Sequence, residues 1–176
     1  MKGQKLVIFT DIGDTIIDES TEVRKEKEGV VYHASCIPGA KETMLRLYES
    51  GHSIAMVADG LKESFRNTME ENGLAQIFAA WVISEEFGVE KPNRILFQTA
   101  LERLGLTEAD KPRIIMVGNN VERDIAGAKR FGIRSVQLVW SQRHPFWPTC
   151  PEEEPDYKIY VPEELLELVS TLEQEL

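Results

Sequence analysis

Short apolar runs bounded by turn residues recur along the chain. They alternate with segments whose apolar positions fall three or four residues apart. Leu6 to Phe9 is an unbroken apolar run that ends at Thr10 and Asp11, and it predicts a strand. Ala40 to Glu49 places Ala40, Met44, Leu45, Leu47 and Tyr48 at helical spacing and meets Gly51, a helix stop. Ser53 to Val57 predicts a second strand, and Lys62 to Glu71 a helix halted before Gly73. Phe78 to Ile83 predicts a third strand, followed by a helix over Asn93 to Leu104 that Gly105 ends. Ile114 to Val117, Ser135 to Val139 and Tyr157 to Tyr160 predict three more strands. A helix from about Val121 to Phe131 separates the first two of these, and Pro162 opens a last helix through about Leu172. Such alternation predicts an α/β three-layer sandwich, a parallel sheet of about six strands with helices on both faces.

Two stretches break the pattern. Residues 16–36 are polar, with the charge run Glu22 to Glu28 at their centre, which reads as a solvated turn or short helix over the site. Residues 141–155 hold four prolines beside Phe146 and Trp147. Both follow predicted strands, so both are expected to overhang the carboxyl edge of the sheet, where ligands bind in such folds. Otherwise 1–176 reads as a single domain, with 16–36 as a flap or minimal cap.

Charge narrows the partners. The chain has 30 acids against 20 bases, a formal net charge of -10, which disfavours nucleic acid and anionic membrane. A protein this acidic needs local compensation to hold phosphate, by a metal ion and a lysine. Its two cysteines, Cys36 and Cys150, form no metal-binding spacing, and the amino-terminal apolar run is too short for a signal peptide or a span. A cytoplasmic setting is expected.

Candidate chemistry gathers at the strand ends. Asp11 follows the first strand, Ala58-Asp59-Gly60 the second, Lys91-Pro92 comes after the third, and Gly118-Asn119 through Asp124 follows the fourth. Each alone is ordinary turn chemistry; their order is more specific. With the Ile37-Pro38-Gly39-Ala40 helix start and the Ser84 to Pro92 approach, the chain resembles the haloacid dehalogenase superfamily of phosphotransferases over nearly its whole length.

That resemblance implies a Rossmann-like sheet, a Mg²⁺ cofactor and a phospho-aspartate intermediate. Asp11 would be the nucleophile, and Lys91 would neutralise it and the incoming phosphate. Asp11, the backbone carbonyl of Gly13, Asn119 and Asp124 would hold the metal. Thr15, Ala58, Asp59, Gly60 and Lys91 would meet the substrate phosphate. The partner would be a phosphorylated small molecule or a phosphoprotein, held by Trp140, His144, Phe146 and Trp147; the same aromatic loop, 141–155, could equally be a homodimer contact.

The departures from the family pattern lie in the site itself. Gly13 stands where the family has its general acid, with Asp14 one place later; Ala58 replaces a hydroxyl residue, and Asn119 replaces an acid. General acid–base help is worth about 10²–10⁴ in rate. A rotation at Gly13 could bring Asp14 inward as a catalytic replacement. Two readings therefore stand: a phosphatase acting through phospho-Asp11, or a catalytically impaired member that binds a phosphorylated ligand or protein. The interval from Thr15 to Pro38 is short and no large insertion separates Ala58 from Lys91, so only a minimal cap is expected.

Overall fold

The computed structural model describes residues 4–25 and 27–176. Met1, Lys2 and Gly3 of the amino-terminal segment and Glu26 of the charge run lie outside the described residues. In chain order come β1 (Val7–Thr10), β2 (Val23–Arg24), β3 (Val31–His33), α1 (Ala40–Glu49), β4 (Ser53–Ala58) and α2 (Lys62–Glu71). They are followed by β5 (Phe78–Ile83), α3 (Arg94–Arg103), β6 (Ile114–Gly118), α4 (Ala126–Phe131), β7 (Arg134–Leu138), β8 (Tyr157–Ile159) and α5 (Glu164–Glu173). The six-stranded sheet runs β5-β4-β1-β6-β7-β8, and every pairing in it is parallel. The α/β sandwich expected from the pattern is the fold observed. Chain order reverses direction at β1 and β6, and the crevice outside their carboxyl ends is where such sheets bind ligands.

Parallel strands covered on both faces must be apolar at nearly every position, and β1 shows why. Ile8 packs into one core with Met44, Met56, Met69 and Leu165, while Val7 and Phe9 pack into the other with Leu96, Phe97 and Phe131. Thus α1, α2 and α5 cover one face, and α3 and α4 the other. Phe97 and Phe131 stack with ring centroids 5.7 Å apart. The Asn93 side chain accepts the Ile95 N–H at 3.0 Å, so this residue caps α3 rather than starting it.

The stretch 16–36 differs from its expected turn or short helix. After a 3₁₀ turn at Glu19–Thr21 it forms the antiparallel hairpin β2–β3. Val23 is exposed, so burial of the charge run cannot hold the hairpin. Main-chain bonds to α2 and its end do: Val31 N–H donates to Ser64 Oγ, the Asn67 amide to the Val31 carbonyl, and the Asn72 amide to the Ala34 carbonyl, at 3.0, 3.0 and 2.9 Å.

Residues 141–155 are irregular apart from one 3₁₀ turn at Pro151–Glu153. The segment is tied across the sheet edge by Gln137, whose amide donates to the Phe146 carbonyl, and by Val121 N–H donating to the Pro145 carbonyl, at 2.8 and 2.9 Å. The predicted helix from Val121 begins as a π-helical turn, Val121–Ile125, before α4. Such turns recur at functional sites. Among the described residues no helix is long and apolar enough to cross a membrane.

Candidate active site

A cavity of about 200 Å³ opens at the carboxyl edge of the sheet, between the ends of β1, β4 and β6. The backbone N–H of Asp11 donates to the Val117 carbonyl at 2.9 Å, extending the β1–β6 ladder and fixing Asp11 at the rim. Asp11, Gly13, Asp59, Gly60, Lys91, Asn119 and Asp124 all line this space, so the structure brings together most of the residues singled out in the sequence.

Lys91 is the centre of the charge arrangement. Its buried ammonium lies 2.8 Å from Asp11 Oδ1 and 2.7 Å from Asp124 Oδ1, and it donates to the Val57 carbonyl at 2.8 Å. Burial opposes the charge of Lys91, but the carboxylates of Asp11, Asp124 and Asp59 outweigh it and raise the pKa. Burial likewise pushes the Asp124 carboxyl up, with Lys91 pulling it back.

Asp124 is placed by a close approach. An added Cβ at Gly118 would fall 2.2 Å from Asp124 Oδ2, so only glycine leaves room for the carboxylate to fold back against the end of β6. There Asp124 Oδ2 accepts the Asn120 N–H at 3.0 Å. Asn120 Oδ1 accepts the N–H groups of Glu122 and Arg123, both at 3.1 Å, which caps the π-helical turn.

Asn119 is 1% exposed, yet neither its Oδ1 nor its Nδ2 has a hydrogen-bond partner. A buried amide with both ends unpaired costs free energy unless something at the site engages it.

Asp59 neither caps α2 nor points freely at the cavity. Its Oδ1 accepts the Lys91 N–H at 3.0 Å, and its Oδ2 lies 3.3 Å from the Arg123 guanidinium, which also reaches Glu90 at 2.8 Å. Arg123 therefore offsets the negative charge that Asp59 would present to phosphate. Nothing in the sequence marks Arg123 for this role, although it sits one residue before Asp124. Gly60 N–H donates to Ser84 Oγ at 2.9 Å.

Three candidates are corrected by the structure. Ala58 is wholly buried in the apolar core at the end of β4, and its methyl group does not line the cavity. Thr15 is buried below β1 among Thr10, Ile16 and Thr43, where its hydroxyl has no partner and does not reach the site. Asp14 is 0% exposed and turned away: Oδ1 accepts the Glu19 N–H at 3.0 Å, and Oδ2 accepts from Arg143 Nε at 2.9 Å. Its φ of 47° lies in the left-handed region, the cost of pointing this carboxylate into the loop. Asp14 fastens residues 141–155 to the β1 turn and does not line the cavity.

Instead the cavity receives Glu19 and His144. Glu19 Oε2 lies 3.0 Å from His144 Nε2 and 3.7 Å from Arg143 Nε. The hydrogen bond to Glu19 raises the His144 pKa above its ordinary value, burial opposing. His144 was expected among the ligand-holding residues, while Trp140, Phe146 and Trp147 of the same group do not line the cavity. Glu19 was missed; the one signal was an acid in a stretch expected to overhang the site. Cys36 and Cys150 are free thiols, and burial pushes the Cys36 thiol up to about 11.

Residues 7–138 match the family model described as haloacid dehalogenase-like hydrolase. A glyceraldehyde 3-phosphate phosphatase of Methanopyrus kandleri is 33% identical over 135 residues, 77% of this chain and 57% of that protein. A phosphoserine phosphatase of Thermus thermophilus is 31% identical over 122 residues, 69% of this chain and 46% of that protein. The chain thus spans about half the length of the curated relatives it matches. Among solved structures, the HAD-hydrolase YfnB of Bacillus subtilis, bound to magnesium, superposes with a TM-score of 0.75 at 16% identity, covering 94% of this chain and 99% of that one. A fold, a site at the β1–β6 crevice and a family match over most of the chain agree: the protein belongs to the haloacid dehalogenase-like hydrolases.

Proposed function

We propose that this protein is a Mg²⁺-dependent phosphatase that transfers a phosphoryl group from a phosphorylated small molecule to Asp11 and then to water. The observation that carries this reading is the Lys91 ammonium, held between Asp11 and Asp124 in a cavity that an unpaired Asn119 amide also lines. Phosphoryl transfer asks chiefly for positioning and for positive charge around the equatorial oxygens. Asp11 is the least buried member of the pair around Lys91 and can reach an incoming phosphorus. Lys91 supplies fixed positive charge, and Arg123 lies beside it at the rim. The names of the relatives, phosphatases of glyceraldehyde 3-phosphate and phosphoserine, support a small phosphate ester as substrate.

The residues present fit a magnesium ion. Asp11, Asp124 and the Asn119 amide oxygen offer hard oxygen ligands in one cavity, and a metal would engage the amide oxygen that is otherwise unpaired. When bound, the ion supplies charge neutralisation at the phosphate oxygens. Replacing one family acid by Asn119 lowers the negative charge of the set, so a weak metal site is expected. Asn119→Asp should lower the Mg²⁺ concentration for half-maximal activity by about tenfold, since affinity follows ligand charge; an activation curve measured for both proteins checks this.

Phosphate release from acetyl phosphate and from small alkyl phosphates tests the function. The expected result is release that requires Mg²⁺ and leaves a hydroxylamine-sensitive acyl phosphate on the quenched protein. A Mg²⁺-independent rate with no trapped acyl phosphate would overturn the reading. Gly13 and the diverted Asp14 favour a second reading, a protein that binds a phosphorylated ligand without turning it over. Calorimetric binding of inorganic phosphate with Mg²⁺, without phosphate release from any of these esters, would support that instead.

A further inference from the structure

The missing side chain at position 13 leaves a hole that another acid fills. An ideal Cβ built on Gly13 would fall 2.0 Å from Glu19 Oε1, 2.9 Å from Glu19 Cδ and 3.3 Å from Glu19 Cγ. The carboxylate of Glu19 therefore stands in the space that a side chain on residue 13 would enter. It lines the same cavity as Asp11 and Lys91.

Its position is imposed by three contacts. The backbone of Glu19 is held by Asp14 Oδ1, which accepts its N–H at 3.0 Å. Its Oε2 meets His144 Nε2 at 3.0 Å, and Arg143 Nε lies 3.7 Å away. The neighbouring Asp14 that the sequence offered as a substitute acid is thus a positioning residue for Glu19.

We propose that Glu19, paired with His144, is the acid–base group of this site, and that the chain has moved this function from position 13 to position 19. The proposal rests on the phosphatase reading above. In the first step an Asp11 carboxylate oxygen bonds to phosphorus and the bond from phosphorus to the leaving oxygen breaks. The proton held between Glu19 and His144 goes to that leaving oxygen, giving an alcohol, a carboxylate and a neutral imidazole. In the second step a water oxygen bonds to phosphorus as the Asp11 oxygen departs with its electron pair. The water proton returns to the pair, restoring it and releasing inorganic phosphate.

Asp14, Glu19 and His144 each bring a ligand atom within 4.8 Å of the others, the spacing of a metal site. A cation among them would face the Arg143 guanidinium, which already occupies Asp14 Oδ2 at 2.9 Å. The cluster suits a shared proton better than a metal ion.

The test compares kcat/KM, which reports steps through phosphoryl transfer to Asp11, on an alkyl phosphate and on acetyl phosphate. An alkoxide leaving group needs a proton and an acetate does not. Glu19→Gln should lower kcat/KM for the alkyl phosphate by about 10²–10⁴-fold while changing the acetyl phosphate value less than about threefold. His144→Gln should act in the same direction. In Glu19→Ala the hole is vacated, and adding Gly13→Asp to it should restore the alkyl phosphate value to within about tenfold of the parent. Equal losses on both substrates, no loss on either, or a double variant no better than Glu19→Ala would overturn the proposal. So would a parent that cleaves acetyl phosphate but no alkyl ester, with the phosphatase reading left standing. A parent without Mg²⁺-dependent release from either substrate removes that reading and the proposal together.

Discussion

Asp11→Asn is expected to abolish phosphate release, with a loss of about 10⁴-fold or more, the scale on which removal of a catalytic nucleophile acts. The amide is nearly the same size as the carboxylate, so the substitution tests charge and nucleophilicity and leaves packing alone. Asp11 sits at the rim on a main-chain bond to Val117, which the substitution leaves intact. Lys91 keeps Asp124 as its ion-pair partner at 2.7 Å and the Val57 carbonyl at 2.8 Å, so its charge remains compensated. The variant should therefore fold, bind inorganic phosphate with Mg²⁺, and fail to form the hydroxylamine-sensitive acyl phosphate. Turnover retained within tenfold of the parent would remove Asp11 from the nucleophile's role.

The frame of this site was legible in the sequence because buried parallel strands leave a strong pattern. Leu6 to Phe9, Phe78 to Ile83 and Ile114 to Val117 are continuous apolar runs, and each ends where the sheet presents its ligand edge. With β1 and β6 as neighbours, Asp11 and Asp124, 113 positions apart in the chain, come to the same edge and share Lys91. The hairpin of β2 and β3 was not legible, since its first strand has two residues and both are exposed. Its order comes from Ser64 and Asn67, more than thirty residues away.

The fate of Asp14 was hidden for a similar reason. Gly13 leaves the local backbone free, and the direction of the carboxylate is decided by Arg143, 129 residues later. Glu19 carried only the weak signal of an acid in a stretch expected to overhang the site, because its contacts there are made by that same loop. Residues attached to strands leave a motif in the sequence, whereas contacts made across loops do not. Ala58 shows the converse: position in a motif suggested contact with phosphate, whereas the register of β4 with β5 buries it opposite Ile83.

Lys91→Met is expected to damage both activity and stability, and pH and Mg²⁺ should separate the two effects. The thioether side chain keeps much of the lysine stem's volume but removes the charge. Asp124, 1% exposed, would then face Asp11 with no cation between them. Removing one partner from a buried ion pair typically costs about 3–5 kcal/mol. Activity on any phosphate ester should fall by at least about 10²–10³-fold, the effect of losing one preorganised charge donor.

The stability loss should depend on pH in a defined direction. Burial already raises the Asp124 pKa, with Asp11 adding to it, and Lys91 is what pulls it down. In the variant the folded-state pKa rises further above the unfolded value. A carboxyl shifted upward loses folding stability as pH climbs through its folded pKa and regains it as pH falls. Denaturant midpoints should therefore approach those of the parent on acidification from neutral pH, until other carboxylates of the fold begin to protonate. Mg²⁺ should produce the same recovery at neutral pH by binding between Asp11, Asn119 and Asp124, with a stabilisation that grows logarithmically with ion concentration. A variant as stable as the parent at neutral pH, or one whose deficit deepens on acidification, would show that Lys91 does not hold these two carboxylates together.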